Sequence, residues 1–420
     1  MKILLSAYSC GPWATSEPGV AWRAVNHALA QGHEVWTITE EHEYLEPTTA
    51  HLAMHPMPGF HPMFIKLSPP ALKLRRPGMV GSVYYHLWQQ KLMGVARQLH
   101  QKVGFDLAHH VTFARYWSPS GVRNLGIPFI WGPVGAAETT PPTFLKELPI
   151  KERLFEFTRD SIRSLAHLDP ALHATARLAT IAIGITRESC DAIRALGARR
   201  VEQLPLALTD EELARFERFG PPPQGPFRAV CLGRLLHWKG FYLGIRAFAK
   251  FARRNPDAEL WIIGDGPYRS ELEQTAAQCC IASQVRFFGR LPHADTLDRL
   301  EKAHVLLHPA LHENFPGVVL EALAAGRPVI CLNVGGPAVQ VTPETGFIGP
   351  VTTPEDAVEA MAAFLTEIAG NRDLLLKMSA KGRERVRENF SMRQIGAAFN
   401  SLYKEAVATH AETRASAVRA

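Results

Sequence analysis

The sequence predicts an α/β protein with two doubly wound, Rossmann-like domains. In each half, short strand-like apolar runs alternate with segments of helical periodicity, the order typical of a parallel sheet covered by helices. A proline- and glycine-rich stretch separates the halves. We therefore expect an N-terminal domain over residues 1–218, a linker over 219–226, a C-terminal domain over 227–390 and a last helix over 391–408.

Composition is that of a globular protein with room for two cores: 420 residues, of which 46% are hydrophobic. The 46 basic and 40 acidic residues give only a mild positive charge, so we expect no nucleic-acid partner. Six cysteines without a C-x-x-C pair are typical of small core residues in a reducing compartment. Without a signal peptide or a membrane-spanning apolar run, we expect a cytoplasmic protein.

The first half opens with a strand at 2–8, a loop, a helix at about 20–31 and a strand at 35–38. The loop lacks G-x-G-x-x-G, which disfavours a dinucleotide-dependent oxidoreductase. Gly19, at the end of the loop, would let the backbone approach a phosphate. A connecting loop that binds nothing is the alternative.

Two further strands of this half end in loops that carry polar residues. The strand at 105–110 ends in His109 and His110, and the strand at 129–131 leads into a loop over 132–138. Ligands of open α/β sheets bind at the carboxyl ends of strands, so both loops are candidate site elements. The histidines have a plain alternative as core or capping residues.

The second half repeats the pattern. A strand at 229–232 runs into a loop, Gly233 to Gly240, in which Arg234 and Lys239 stand five positions apart. An Arg fork and a Lys point charge at a strand-to-helix loop can clamp a diphosphate. Solvated loop cations are the alternative.

A later loop, 312–317, links a buried strand to a helix and carries Glu313, eight positions before Glu321. Asn314 is the predicted N-cap, Pro316 fits the first turn and Gly317 lets a ligand approach. A helix that opens here presents free N–H groups and a positive dipole end to an anion. Glu313 would accept hydrogen bonds from sugar hydroxyls, and Glu321 would reach a ribose diol. The alternative is two solvated carboxylates.

These motifs together resemble the family 4 retaining glycosyltransferases of the GT-B fold, in a bacterial surface-glycan subgroup. The resemblance includes the E-x7-E segment 313–321, the Gly-Arg-x5-Lys-Gly loop, Gly264-Asp265-Gly266-Pro267 and the loop after 285–289. In the N-terminal half it includes the Ser-Glu-Pro-Gly at 16–19 and the loop 132–138. The family fold places two Rossmann-like domains across a cleft, and its last helix crosses back to the N-terminal domain.

The resemblance implies a role for each candidate. Glu313 and His110 would be catalytic, the first orienting the sugar and the second holding it. Glu138 and Gly135 would lie on the acceptor side, although Ala136 and Ala137 replace two family glycines. The donor-binding residues would be Arg234, Lys239, Glu321, Asn314, Phe315, Pro316, Gly317, Gly19 and Arg290.

The implied reaction moves a hexose from a nucleotide diphosphate sugar to an acceptor hydroxyl, in bacterial polysaccharide or glycolipid synthesis. There is no D-x-D triplet, so we expect a metal-independent enzyme without a cofactor, in which basic side chains and a helix dipole replace the metal. Two alternatives stay open: a GT-B nucleotide-sugar epimerase and a non-catalytic nucleotide-sugar-binding partner. No residue distinguishes UDP from GDP or ADP donors.

Residues 47–105 contain seven Lys or Arg, no Asp or Glu, and several aromatic residues. Basic charge interleaved with aromatics is what an anionic bilayer surface attracts. We therefore expect this segment to contact the inner membrane face, where a lipid-linked acceptor would lie. A solvated basic face over ordinary core is the alternative.

Overall fold

The computed structural model describes residues 1–12, 16–75, 79–113 and 115–419. Its strands are β1 (Lys2–Ala7), β2 (Glu34–Glu40), β3 (Phe60–Ile65), β4 (Leu107–Thr112), β5 (Phe129–Val134), β6 (Ile181–Gly184), β7 (Val201–Gln203), β8 (Arg228–Leu232), β9 (Glu259–Ile263), β10 (Val285–Gly289), β11 (Val305–His308), β12 (Val329–Leu332) and β13 (Gly346–Gly349).

Its helices are α1 (Ser16–Ala30), α2 (Glu41–Met54), α3 (Pro69–Leu72), α4 (Met79–Val103), α5 (Pro142–Leu145), α6 (Ile150–Ala166), α7 (Pro170–Leu178), α8 (Arg187–Ala195), α9 (Asp210–Glu217), α10 (Phe241–Ala252), α11 (Arg269–Gln278), α12 (His293–Glu301), α13 (Gly317–Ala324), α14 (Gly335–Gln340), α15 (Pro354–Gly370), α16 (Arg372–Asn389) and α17 (Met392–Arg419). A short 3₁₀ helix, His237–Lys239, precedes α10.

The chain divides into two compact units. Unit 1 comprises Met1–Ala137, Ser161–Leu206 and Met392–Ala420, and unit 2 comprises Glu138–Asp160 and Ala207–Ser391. The division therefore falls at 206/207, and residues 138–160 leave the N-terminal half to join unit 2. The predicted N-terminal domain ended at residue 218 instead, and it included residues 138–160.

The predicted linker is part of unit 2 because arginine side chains hold its backbone. Arg372 donates a hydrogen bond to the carbonyl of Pro223 at 2.8 Å, and Arg383 donates to the carbonyl of Phe219 at 2.9 Å. A stretch whose carbonyls are bound in this way is fixed to the unit, whatever its proline and glycine content indicates.

Unit 1 is built on a parallel sheet with the strand order β3-β2-β1-β4-β5-β6-β7 in the described residues. Leu4 of β1 pairs with Trp36 of β2 on one side and with Ala108 of β4 on the other. Every residue of β4 and β5 is buried, as expected for central strands of a parallel sheet covered on both faces.

Unit 2 contains a second parallel sheet, in the order β10-β9-β8-β11-β12-β13. The chain leaves β8 towards β9 and β10, then returns to the other side of β8 as β11. The strand order thus reverses between β8 and β11, and such a switch point is where open α/β sheets bind ligands. The predicted pair of Rossmann-like folds is confirmed.

The last helix, α17, belongs to unit 1 and runs to Arg419, well beyond the predicted end at 408. Its Tyr403 is buried, and the hydroxyl lies 2.8 Å from Nδ1 of His109 in β4. The helix is therefore anchored in the core of unit 1 by an aromatic face.

The basic segment 47–105 differs from the prediction in its aromatic residues. Tyr84, Tyr85 and Trp88 are buried in the core of unit 1 and are not available to a lipid surface. Two of its cations are paired with acidic residues of α2: Lys66 with Glu41 at 2.9 Å, and Arg75 with Glu43. Arg76 lies outside the described residues, as do residues 13–15 of the first loop.

None of the described helices is both long enough and apolar enough to cross a bilayer. Of the six cysteines, four are buried, whereas Cys279 is half-buried and Cys280 is exposed. The prediction of small core residues is correct for the four.

Candidate active site

The candidate site of unit 2 begins with the loop between β8 and the 3₁₀ helix. Gly240 has a φ of 63°, and a Cβ at this position would lie 1.9 Å from the carbonyl oxygen of Pro309. Only glycine meets both conditions, because the left-handed backbone and the close approach each exclude a side chain. Glycine here lets the Lys239 loop pack directly against the chain that follows β11.

A second loop, after β11, leads into α13. The structure makes Pro316 the N-cap of this helix, and no described side chain caps it. The prediction of Asn314 as N-cap is therefore wrong: the helix begins at Gly317, too far along for Asn314 to cap it. Gly326, just after this helix, has a φ of 68°, the left-handed conformation in which glycine commonly ends a helix.

The two loops border a cavity of about 1110 Å³, large enough for a nucleotide-sized ligand. All its lining residues belong to unit 2: Leu232, Gly233, Arg234, Lys239, Ile263, Gly264, Asp265, Gly266, Arg290, Leu291, Thr296, Glu313, Pro316, Gly317, Val318 and Glu321. The structure thus brings together seven of the predicted site residues. Asn314 and Phe315 are not part of this lining, and Phe315 packs against Phe390 with ring centroids 5.8 Å apart.

Lys239 and Glu313 form an ion pair in the cavity wall, and both side chains are largely buried. Nε2 of His308, which is fully buried at the end of β11, lies 3.5 Å from the same carboxylate. Burial by itself would raise the pKa of Glu313, but the charge of Lys239 and the contact with His308 hold it at about 2. Glu313 is therefore ionised at neutral pH, which allows it to accept hydrogen bonds or face a positive charge.

Glu321 lies about one turn into α13, and its carboxylate is 3.2 Å from Nε2 of His293. The hydrogen bond to this carboxylate raises the pKa of His293. Arg234 and Arg290 are exposed at the cavity. The cavity lining thus combines three carboxylates, of Asp265, Glu313 and Glu321, with three cations, Arg234, Lys239 and Arg290.

His110 lies in unit 1 and has no exposed surface. Its Nδ1 is 3.1 Å from the Ser120 hydroxyl, and its Nε2 is 3.5 Å from the Tyr85 hydroxyl. Burial lowers the pKa of His110 to about 3, so the ring is neutral. Its catalytic role stays a prediction, and the geometry argues for an indirect role, because a ring without exposed surface cannot touch a sugar.

The other two candidates of unit 1 are backbone positions. Gly19 lies within the first turns of α1, not in a loop. Gly135 forms an isolated bridge with Arg115, and the next residue, Ala136, has a φ of 64°. The alanine thus adopts the left-handed conformation that the replaced glycine would favour, which costs on the order of 1 kcal/mol.

Glu138 lies in unit 2 and is almost fully buried. Its Cγ would be 2.7 Å from a Cβ added to Gly335, and the carbonyl oxygen of Glu313 would be 2.4 Å from it. Glycine at position 335 therefore leaves the room in which the Glu138 side chain and the backbone of the Glu313 loop pack side by side. The acceptor-side role of Glu138 stays a prediction, but its position is beside the donor-side loop of unit 2.

Sequence reasoning missed His308 and a buried carboxylate, Glu156, that contacts His237 and His312. No local pattern marks Glu156, which stands among charged residues of an arginine-rich helix. Glu156 reaches His237 and His312 only because residues 138–160 belong to unit 2.

Comparison with known proteins shows which families this chain resembles. Residues 214–385, less than half of the chain, match the model for glycosyl transferases group 1. Among curated relatives, a 2-deoxystreptamine glucosyltransferase of Streptomyces kanamyceticus is 25% identical over 64% of this chain and 69% of its own. A lipopolysaccharide core biosynthesis glycosyltransferase of Rhizobium meliloti is 30% identical, over 50% of this chain and 62% of its own.

Solved structures agree on the fold over almost the whole chain. A sucrose-phosphate synthase from Thermosynechococcus elongatus superposes with a TM-score of 0.68 at 19% identity, covering 97% of this chain and 99% of the other. Anabaena HepE, solved in complex with UDP, gives a TM-score of 0.60 at 15% identity over 96% of this chain and all of its own. The fold is therefore GT-B, and residues 214–385 resemble the glycosyl transferases of group 1.

Proposed function

We propose that the protein is a retaining glycosyltransferase. It transfers a hexose from a nucleotide diphosphate sugar to an acceptor hydroxyl, in bacterial polysaccharide or glycolipid synthesis. The observation that carries the proposal is the unit 2 cavity, which collects Arg234, Lys239, Glu313 and Glu321 at a switch point of the sheet.

Each of the four groups has a part in this proposal. Arg234 and Lys239 stabilise the diphosphate as it leaves, because its negative charge grows when the glycosidic bond breaks. The uncapped first turn of α13, at Gly317, adds backbone N–H groups and the positive end of the helix dipole. Glu321 accepts hydrogen bonds from the ribose diol.

Glu313 orients the sugar and favours the positive charge that develops on it. Without a donor, Lys239 and Glu313 neutralise each other. With a donor bound, the diphosphate pairs with Lys239 and the sugar hydroxyls donate hydrogen bonds to Glu313, so neither buried charge loses a partner. No side chain is assigned as a covalent nucleophile, so the acceptor attacks on the face from which the diphosphate leaves.

The names of the relatives support this reaction class. They include a glucosyltransferase and an enzyme of lipopolysaccharide core biosynthesis. Since Anabaena HepE was solved with UDP, UDP is the first donor probe for this protein. The sugar, the acceptor and the independence from metal are parts of the proposal to be tested.

A thermal-shift screen with UDP, GDP, ADP and their sugar conjugates tests the donor class. A ligand that binds only the folded protein raises the melting temperature in a concentration-dependent manner. We expect one nucleoside diphosphate and its sugar conjugate to do so. A screen in which none of these compounds shifts the melting temperature would contradict the proposal.

The epimerase alternative would use the same donor cavity, so it is distinguished by its products. A transferase releases the nucleoside diphosphate in proportion to the glycosylated acceptor, whereas an epimerase converts the nucleotide sugar without an acceptor. A non-catalytic partner would bind the nucleotide sugar and do neither. The intact set of two cations and two carboxylates favours the transferase.

We further propose that the acceptor is presented at an anionic membrane surface beside segment 47–105. Exposed cations of this segment, among them Lys73, Arg97 and Lys102, support the proposal. The buried aromatic residues of the segment limit it to electrostatic attraction without apolar insertion.

A further inference from the structure

Glu156 is a buried carboxylate of α6 with 1% of its side chain exposed. Its Oε1 lies 2.8 Å from Nε2 of His237 and 3.2 Å from Nε2 of His312. Its Oε2 lies 2.8 Å from Nη2 of Arg159 and accepts a hydrogen bond from the Thr140 hydroxyl at 2.9 Å. His237 donates from Nε2, because an ionised carboxylate can only accept, whereas Nε2 of His312 contacts both Glu156 and Nη1 of Arg159.

The two histidines belong to the two loops that carry the proposed donor residues. His237 opens the 3₁₀ helix that ends at Lys239, and His312 directly precedes Glu313. A single carboxylate oxygen therefore connects the loop after β8 with the loop after β11. Moving Glu156 would remove one polar contact from each loop.

A stack of three rings joins the same loops a second time. Trp238 stacks on Phe155 with centroids 5.5 Å apart and on His312 with centroids 5.6 Å apart. Phe155 is the neighbour of Glu156 in α6. Helix α6 thus contacts the two loops through the carboxylate of Glu156 and, at Trp238, through the ring of Phe155.

The segment that carries Glu156 is firmly attached to unit 2. Phe144 and Leu148, from the same excursion of residues 138–160, are fully buried in the hydrophobic core of this unit. Burial alone would raise the pKa of Glu156, but the hydrogen bonds from His237 and His312 outweigh it and hold the pKa far below its usual range. The carboxylate is charged at neutral pH and is matched by its donors.

We propose that Glu156 is a positioning residue that fixes Lys239 and Glu313 by holding the loops on which they stand. Its effect on catalysis depends on the proposed donor site, whereas its effect on the loops does not. The two effects can therefore be tested separately.

Hydrogen exchange without any nucleotide tests the loops. In Glu156→Gln, we expect amide exchange about tenfold faster in residues 233–240 and 312–317, since losing about one net hydrogen bond changes an opening equilibrium by about that factor. The control is Glu355→Gln, which removes an exposed carboxylate paired with Arg246 and Lys250 in the same unit. It should leave both loops unchanged. Unchanged exchange in the two loops of Glu156→Gln would overturn the proposal.

If Glu156→Gln does not fold, His237→Asn and His312→Asn make the same test one loop at a time. His237→Asn should loosen residues 233–240 more than 312–317, and His312→Asn should do the reverse. Equal loosening of both loops by either variant would contradict a connection through Glu156.

A double-mutant cycle with UDP and GDP tests the effect on the donor site. We expect Glu156→Gln to weaken diphosphate binding in the wild-type background but to add little in Lys239→Ala, because it acts through Lys239. Fully additive losses would overturn the positioning of Lys239. If none of UDP, GDP and ADP binds the wild type, the proposed function fails, while the exchange result still decides whether Glu156 holds the loops.

Discussion

Lys239 and Glu313 show how single residues of the site depend on each other. Their ion pair lies in the wall of the unit 2 cavity, with about 13% and 19% of the two side chains exposed. Breaking a buried pair by removing one partner leaves the other charge uncompensated. A substitution of either residue therefore changes donor binding in two ways: it removes one side chain and leaves the charge of the other unpaired.

We predict that Lys239→Ala weakens binding of the nucleoside diphosphate and lowers turnover on the order of a hundredfold, as expected for loss of a preorganised charge. Calorimetry with UDP or GDP and steady-state kinetics measure the two effects. Lys250→Ala is the matched control, since this lysine is also paired with carboxylates of unit 2 but lies outside the cavity lining. Kinetics of Lys239→Ala equal to those of the control would remove Lys239 from the site.

Substitutions of the two carboxylates of the E-x7-E segment should impair different steps, one the binding of the nucleotide and the other the transfer of the sugar. Glu321→Gln should weaken binding of the nucleoside diphosphate itself, because we assign Glu321 to the ribose. Glu313→Gln should preserve diphosphate binding but reduce transfer, because we assign Glu313 to the sugar. Equal losses of diphosphate affinity in the two variants would contradict this division.

At the scale of elements, β4 illustrates the cost of burying ionisable groups. Its His109 and His110 are both fully buried, and burial lowers their pKa values from 6.5 to about 4 and about 3. The unfolded chain binds protons near pH 6.5 that the folded strand excludes. Stability therefore falls as the pH decreases from about 6.5 towards 4.

We predict a falling melting temperature between pH 7 and pH 5, with on the order of 1.4 kcal/mol of unfolding free energy lost per pH unit and histidine. The effect of Glu313 is separate: its pKa is lowered from 4.5 to about 2, so its contribution is present above pH 4.5 and is lost below it. Thermal unfolding of His109→Gln should depend less on pH than that of His55→Gln, an exposed control. Equal pH dependence of the two variants would be the contrary result.

At the scale of the whole molecule, charges on segment 47–105 decide the proposed membrane contact. We predict flotation with vesicles that contain anionic lipid, weakened by raised salt because the Debye length is about 10 Å at 0.1 M. Combined reversal of Lys73, Arg97 and Lys102 to Glu should abolish it. Reversal of three exposed cations of unit 2, Arg253, Arg254 and Lys377, is the control. Equal binding to neutral and anionic vesicles would favour a soluble acceptor.

The structure confirmed the two parallel sheets. They were predictable because buried strands and helical periodicity can be recognised in short windows of sequence. It corrected features that depend on distant contacts. Asn314 does not cap α13, the proline-rich stretch is held by Arg372 and Arg383, and α17 continues to Arg419. Local propensity gives no information on which distant side chain binds a carbonyl or extends a helix.

The sequence alone predicted most of the strands, but not β3 or β13. It also predicted the loops at the carboxyl ends of those strands and the charged residues on the loops, since each follows from neighbours along the chain. The tertiary structure decided that residues 138–160 join unit 2, that Tyr84 and Trp88 are buried, and that Glu156 lies between His237 and His312. The physical reason is that burial and hydrogen bonding of a side chain depend on groups brought close in space, 81 and 156 positions apart in the case of Glu156.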